Sequence, residues 1–151
     1  MRVGVISDTH GLLRREAIAA LKRSDLIIHA GDVGSREVLD QLGDIAPTHA
    51  VRGNIDTYPW ARTLPETAVV RAGRQHLLVL HDISQLSVDP VYEGYDAIVF
   101  GHSHRASAKR RNGILLLNPG SAGPRRFGLP VTIAWLQVAG RNVRTRIISL
   151  L

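Results

Sequence analysis

A chain of 151 residues, 44% hydrophobic and 21% charged, has the size and balance of one globular domain that can bury a core without covalent staples. The absence of cysteine excludes a disulfide framework, a thiolate metal site and a cysteine nucleophile, so any metal must be held by nitrogen and oxygen. The apolar stretch after Met1 and Arg2 is too short for a secretory leader, and no run approaches the ~20 residues of a membrane span. A cytoplasmic location and no membrane partner are therefore expected.

The formal charge of +6 is carried almost wholly by arginine and is unevenly spread. No Asp or Glu follows Asp96, whereas Arg105, Lys109, Arg110, Arg111, Arg125, Arg126, Arg141, Arg144 and Arg146 do. A solvated basic face accounts for this most simply. Attraction of a phosphorylated substrate or of nucleic acid is the sharper reading, and charge alone does not choose between those two.

Short apolar runs flanked by Gly, Pro, Asn or Asp read as strands in chain order: Val3 to Ile6, Leu26 to Ile28, Ala50 and Val51, Ala68 to Val70, Leu77 to Leu80, Ala97 to Phe100, Ile114 to Leu117, Val131 to Leu136, and Val143 to Ile148. Leu13, Ala17, Ile18 and Leu21 recur at helical spacing and predict a helix over roughly 12–23. Ser35 reads as the N-cap of a second helix to about Leu42, ended by Gly43. Segment 83–95 is ambiguous, since Leu86, Val88 and Val91 suit a short helix but Pro90 limits it. The first half alternates strand and helix, which predicts parallel strands joined by crossovers. The second half is mostly strand, and Arg111-Asn112-Gly113 carries a hairpin signal. One α/β-type layered domain over 1–151 follows.

A single pattern recurs five times along these strands. An apolar run ends, and within one to three residues a metal-capable side chain appears: Asp8 and His10, Asp32, Asn54, His81, then His102 and His104. The C-terminal ends of parallel strands share one edge of a sheet, where ligands bind in open α/β folds. Residues scattered over almost a hundred positions can thus converge. Carboxylate, amide and imidazole without sulfur suit Mn²⁺, Fe²⁺, Zn²⁺ or Co²⁺. Seven side chains are too many for one ion and fit two, clamped about 3.5–4 Å apart on a phosphoryl group, with the middle aspartate the natural bridge.

Asp8-Thr9-His10, Gly31-Asp32, Gly53-Asn54-Ile55-Asp56, His81 and Gly101-His102-Ser103-His104 resemble, in order and approximate spacing, the signature of calcineurin-like metallophosphoesterases. Asn118-Pro119-Gly120-Ser121 and the short length are similar to the small phosphodiesterases of the YfcE/MJ0936 type. The resemblance spans essentially the whole chain and implies a four-layer α/β/β/α sandwich with two mixed sheets. It also implies that Asp8, His10 and His104 hold one divalent metal, that Asn54, His81 and His102 hold the other, and that Asp32 bridges them. Manganese is the expected ion, with iron, zinc, cobalt or nickel as alternatives. A bridging water would attack phosphorus in line, so Asp32, Asn54, His102 and His10 form the expected catalytic set. Possible homodimerisation follows from similar proteins alone.

Two departures narrow this reading. Many members, above all the protein phosphatases, have histidine after the motif's Asn, whereas this chain has Ile55, which has no proton to give. That steers toward the small phosphodiesterases, which commonly lack the histidine. The common His-Gly-His is here His81-Asp82-Ile83, and Asp82 is a candidate to orient a ligand imidazole.

Other residues have plainer readings beside sharper ones. His29 reads as a hydrogen-bonded core histidine rather than a third-metal ligand, and His49 and His76 receive no function. Arg52 and Asp56 are the candidate substrate-binding residues; an ion pair for Arg52 and a loop-fixing turn for Asp56 are equally open. Tyr58 and Trp60 are expected to anchor their loop, with cleft lining as the alternative. Asn118 to Ser121 reads as a turn, with support of the histidine loop implied by the resemblance. Arg125 and Arg126 read as a solvated pair, with attraction of an anionic substrate as the alternative.

The sequence thus reads as a metal-dependent phosphoesterase acting on a small phosphodiester. Its first rival is a non-catalytic metal-binding scaffold of the same fold, a derivative expected to have lost ligand histidines, none of which is missing here. Its second rival is a small nuclease acting on nucleic acid. Related repair nucleases usually carry further domains, for which 151 residues leave no room.

Overall fold

In the computed structural model, which describes residues 1–57, 59–91 and 93–151, the apolar runs form two five-stranded mixed sheets. The first contains Arg2–Ile6 (β1), Leu26–His29 (β2), Thr48–Ala50 (β3), Thr132–Ala139 (β9) and Asn142–Ser149 (β10), in the order β10-β9-β1-β2-β3. The second contains Thr67–Ala72 (β4), Gln75–Leu80 (β5), Ala97–Val99 (β6), Ser107–Arg111 (β7) and Ile114–Asn118 (β8), in the order β4-β5-β6-β8-β7. Strands β1, β2 and β3 run parallel, as do β5, β6 and β8, while β4, β7, β9 and β10 pair antiparallel at the flanks.

The sheets stack on one apolar layer built by alternate residues, among them Val3, Val5 and Leu136 from one sheet and Leu77, Val79 and Leu117 from the other. Arg15–Leu21 (α1) and Arg36–Gly43 (α2) cover the outer face of the first sheet, burying Ala17, Leu21, Val38 and Leu42 against Ile6, Ile27 and Ile133. These are the expected sandwich and its first helical layer. The opposite outer layer is thinner: Leu78, Leu80 and Ile98 lie under Ile83, Leu86 and Tyr95, from a short 3-10 turn at Ile83–Gln85 and the segment after it.

Local differences from the sequence reading have physical causes. The first helix starts at Arg15 rather than 12 because His10 and Gly11 take left-handed backbone angles, and the chain must leave that turn first. Strand β7 carries almost no apolar signal, since its residues from Ala108 to Arg111 are exposed at a sheet edge. The hairpin behind it is as expected, with Asn112 (φ 53°) and Gly113 (φ 79°) between paired Arg111 and Ile114. Ser35 caps the second helix with extended backbone only, without a side-chain hydrogen bond.

Candidate metal centre

Both parallel trios end at the same end of the sandwich, and the seven candidate ligands lie there. Asp8 and His10 follow β1, Asp32 follows β2, Asn54 follows β3, His81 follows β5, and His102 and His104 follow β6. Ligating atoms of Asp8, His10 and His104 lie within 4.8 Å of one another, as do those of Asp32, His81 and His102. His81 Nε2 is 3.2 Å from Asp32 Oδ2 and 3.8 Å from Asp8 Oδ1, and His10 Nε2 is 3.6 Å from Asp32 Oδ2. The two groups therefore meet at Asp32.

The side chains meet lone pair to lone pair, as a cation requires. Asp8 Oδ1, His10 Nε2 and His104 Nδ1 are buried without a hydrogen-bond partner, and such orphans are costly unless something positive completes them. Asn54 turns one amide atom toward Asp32 Oδ2 (3.1 Å), His81 Nε2 (3.1 Å) and His102 Nδ1 (3.3 Å); as nitrogen it donates to these acceptors, and rotation of the amide presents its oxygen to a cation among them. The donor set, nitrogen and oxygen only, fits hard or borderline divalent ions.

Backbone conformation carries the same mark. Asp8 (φ 55°), His10 (47°), Asp32 (54°), His102 (74°) and His104 (63°) are all in the left-handed region, which non-glycine residues rarely enter and which clusters at functional sites. The glycines beside them make room. A Cβ on Gly31 (φ 99°) would meet the His81 ring at 2.7 Å, and one on Gly53 would overlap the Asp32 backbone and carboxylate.

A second layer fixes the first. His81 Nδ1 is 2.7 Å from the Ala30 carbonyl, so it donates there and turns Nε2 inward. Ser7 donates to Asp8 Oδ2 at 2.7 Å, and the His102 amide donates to the same oxygen at 3.1 Å. Asn118 donates to the Gly101 carbonyl and to Ser103 Oγ, and accepts from the Gly120 amide, which holds the histidine loop as the resemblance implied. The Ile55 amide donates to Asp32 Oδ1 at 3.0 Å, so this position serves through its backbone while its side chain is chemically inert. Ser121, the end of the Asn118 to Ser121 motif, donates to the Asp8 carbonyl, whereas Ser7 carried no signal in the sequence.

Burial pushes the Asp8 carboxyl up in spite of the neighbouring histidines, and it lowers the proton affinity of His10. Burial is the largest influence on Asp32 and His81 and opposes charge on both, but their close contact, the Ile55 amide and Ala30 carbonyl and the neighbouring charges together outweigh it, holding Asp32 low and raising His81. Full burial drives His29 down to about 3. Its tautomer follows from its neighbours: Thr9 gives its hydroxyl proton to the Val33 carbonyl, so His29 Nε2 donates to Thr9, while Nδ1 accepts from the Gly31 amide. Both ring nitrogens are used, as expected of a core histidine, and neither is left for a metal.

The two candidate substrate residues divide. Arg52 lines an open cleft of about 500 Å³ beside Asn54, His81 and His102, and donates to Glu66 Oε1 at 2.9 Å. Asp56 is 1% exposed and accepts from the Val33, Gly34 and Gly53 amides, so the substrate-binding expectation for Asp56 gives way to the loop-fixing one. Its carboxylate is consumed by the backbone it ties. Asp82 accepts from the Ser84 amide and hydroxyl, capping the 3-10 turn, and its other oxygen stands 3.9 Å from His102 Nε2, beyond hydrogen-bond reach. Trp60 packs against the helix-side core and anchors its loop, while Tyr58 lies outside the described residues.

A family model described as a calcineurin-like phosphoesterase superfamily domain matches residues 1–141. A probable metallophosphoesterase of Methanothermobacter thermautotrophicus is 33% identical over 98% of this chain and 92% of its own length. Phosphodiesterase MJ0936 of Methanocaldococcus jannaschii is 25% identical over 95% of this chain and 97% of its own. Among solved structures, Vps29 of Chaetomium thermophilum shares the fold with a TM-score of 0.81 at 18% identity, covering 99% of this chain and 96% of that one. By the matched model, the full-length relatives and the ordered site residues, the chain belongs to the calcineurin-like phosphoesterase superfamily.

Proposed function

We propose that this protein is a metal-dependent phosphodiesterase using two divalent cations, manganese being the first to test. Membership of a phosphoesterase family makes it a hydrolase of phosphoric ester bonds. The observation that carries the two-ion reading is the pair of ligand groups, each drawn within 4.8 Å and meeting at Asp32. Asp8, His10 and His104 would hold one ion, Asn54, His81 and His102 the other, and Asp32 both. When bound, the ions supply Lewis acidity that activates a water and neutralises phosphoryl charge.

The chain's own groups do the positioning. Ser7 and the His102 amide hold one oxygen of Asp8, and the Ile55 amide holds one oxygen of Asp32. The cleft beside Asn54 and His102 gives one ester arm a polar bed of Arg52, Thr67, Gln85 and Ser87. Arg52 is the cation there, and exchanging Glu66 for a phosphoryl oxygen would bring it to the substrate. With Ile55 unable to donate a proton, the leaving group takes its proton from solvent.

A scaffold derivative of the fold is expected to have lost ligand histidines, and the candidate set here is intact. The test is metal stripping followed by assay of a chromogenic phosphodiester, a monoester and single-stranded DNA with Mn²⁺ restored. Diester turnover that depends on added metal and exceeds monoester turnover is expected. No metal-dependent turnover on any of the three would sink the enzyme reading. The Asp32→Asn variant should stay folded and lose more than about 100-fold, since even outer partners of metal ligands cost 10–100-fold.

A further inference from the structure

The segment 123–130 lies on the His104 side of the centre and contributes nothing to the lining of the Arg52 cleft. Its middle is a tight turn closed by the Leu129 amide on the Arg126 carbonyl at 3.0 Å. Both central residues have positive φ, Phe127 at 57° and Gly128 at 65°. A turn with that pair of angles is of the I′ kind, which Asn, Asp and Gly dominate because a bulky side chain is strained there. Phenylalanine is the costly choice.

Packing does not account for it, because Phe127 is 77% exposed, more than any other large hydrophobic among the described residues. The ring meets His104 edge-on, with centroids 5.9 Å apart. Arg126, beside it, is near enough to His10 to act on it electrostatically. Pro124, Arg125, Leu129 and Pro130 close the base of the loop against His104 and Ser121. A strained, solvent-facing aromatic thus stands against a candidate metal ligand with a cation next to it. Strain that persists without a packing reason points to function.

We propose that Phe127 is a stacking platform for a flat aromatic ring on one arm of the phosphate ester, with Arg126 as an anion contact beside it. The inference rests on the phosphoesterase reading and deepens it. The substrate class is then a phosphoester with one arm ending in an aryl group or a nucleobase. That arm lies on the His104 side, and the other arm lies in the polar Arg52 cleft. A ring offset over Phe127 gains the stacking attraction that a methyl group does not.

Calorimetric titration of the Mn²⁺-loaded protein with methyl phosphate, phenyl phosphate and thymidine 5′-monophosphate tests this by binding rather than turnover. Phenyl phosphate is expected to bind about fivefold or more tightly than methyl phosphate. Phe127→Ala should bring that ratio close to one, and Phe127→Trp should keep it, with metal content unchanged in both. A matching Phe127-dependent gain for the nucleotide assigns the ring to a nucleobase, and a gain confined to phenyl phosphate assigns it to an aryl group. Equal binding of the methyl and phenyl esters by the unmodified protein, or a ratio that survives Phe127→Ala, overturns the proposal. Ring-dependent binding without any ester turnover would remove the catalytic reading and leave the platform standing. Phe127→Asn, which suits the turn, should lose the ratio while its thermal midpoint holds or rises by about 2–4 °C, and this separates the ring's role from a folding defect.

Discussion

Two turns in this protein share one backbone geometry and differ in what occupies it. At the end of the second sheet away from the metal centre, Asn112 and Gly113 join β7 to β8 with positive φ at both positions. There the residues suit the conformation, because asparagine tolerates it and glycine has no side chain to clash. At the other end, Phe127 and Gly128 make the same kind of turn with a residue the geometry disfavours, and five candidate metal ligands are bent into the same region. Where only folding is at stake, residue and backbone agree. Where side chains must meet a ligand, the backbone yields to them, and nearby hydrogen bonds hold the strain in place.

The largest effect should come from relieving strain at a ligand. His104→Gly frees its backbone but removes an imidazole. The metal-free variant should match or exceed the parent in thermal midpoint, while the rise produced by Mn²⁺ largely disappears; a rise as large as the parent's would break the assignment of His104. Next comes the support of the strained end. Asp56→Ala leaves three backbone amides of two ligand loops without their acceptor, at about 3 kcal/mol in denaturant unfolding. A loss near zero would mean that water replaces the carboxylate.

The same end should also be the acid-sensitive one. His29 is held neutral in the fold, down to about 3, but takes a proton near its ordinary value when unfolded. Between those two values the unfolded state binds more protons, so stability rises with pH and is lost on acidification below about 6.5. In metal-free protein this one side chain contributes about 1.4 kcal/mol per pH unit across that window. His29→Gln should flatten the slope, and an unchanged slope would shift the cause to other groups. The smallest effects belong to the remote turn. Asn112→Gly should change stability by less than about 0.5 kcal/mol, whereas Asn112→Phe should cost about 1 kcal/mol. Equal tolerance of Phe at 112 and Asn at 127 would erase the contrast between the ends.

The candidate ligands were legible because each follows an apolar strand within five residues, so a one-dimensional pattern encodes a three-dimensional convergence. The sheets were legible for the same reason, except where burial was missing: β7 pairs at an edge with exposed Lys109, Arg110 and Arg111, and only its turn betrays it. Asp56 has two equal readings in the sequence, because an acidic residue two positions after Asn54 suits a substrate contact as well as a turn, and only burial decides. Ser7 was invisible, since its role depends on which oxygen of Asp8 it faces. Phe127 had no periodic context at all. Its meaning appears only when exposure, backbone angle and the His104 contact are read together.

The centre also straddles the two layers of the sandwich. Asp8 and His10 hang from the first sheet and His104 from the second, almost a hundred residues along the chain. An ion gripped by all three is a cross-link between the sheets, in a chain that has no cysteine to make one. A covalent bridge closing a loop that long is worth about 4–5 kcal/mol in chain-entropy terms, and coordination acts on the same unfolded ensemble. Metal supply would then govern how long the protein survives as well as how fast it works. Starved of metal, a cell would lose the molecule along with its activity.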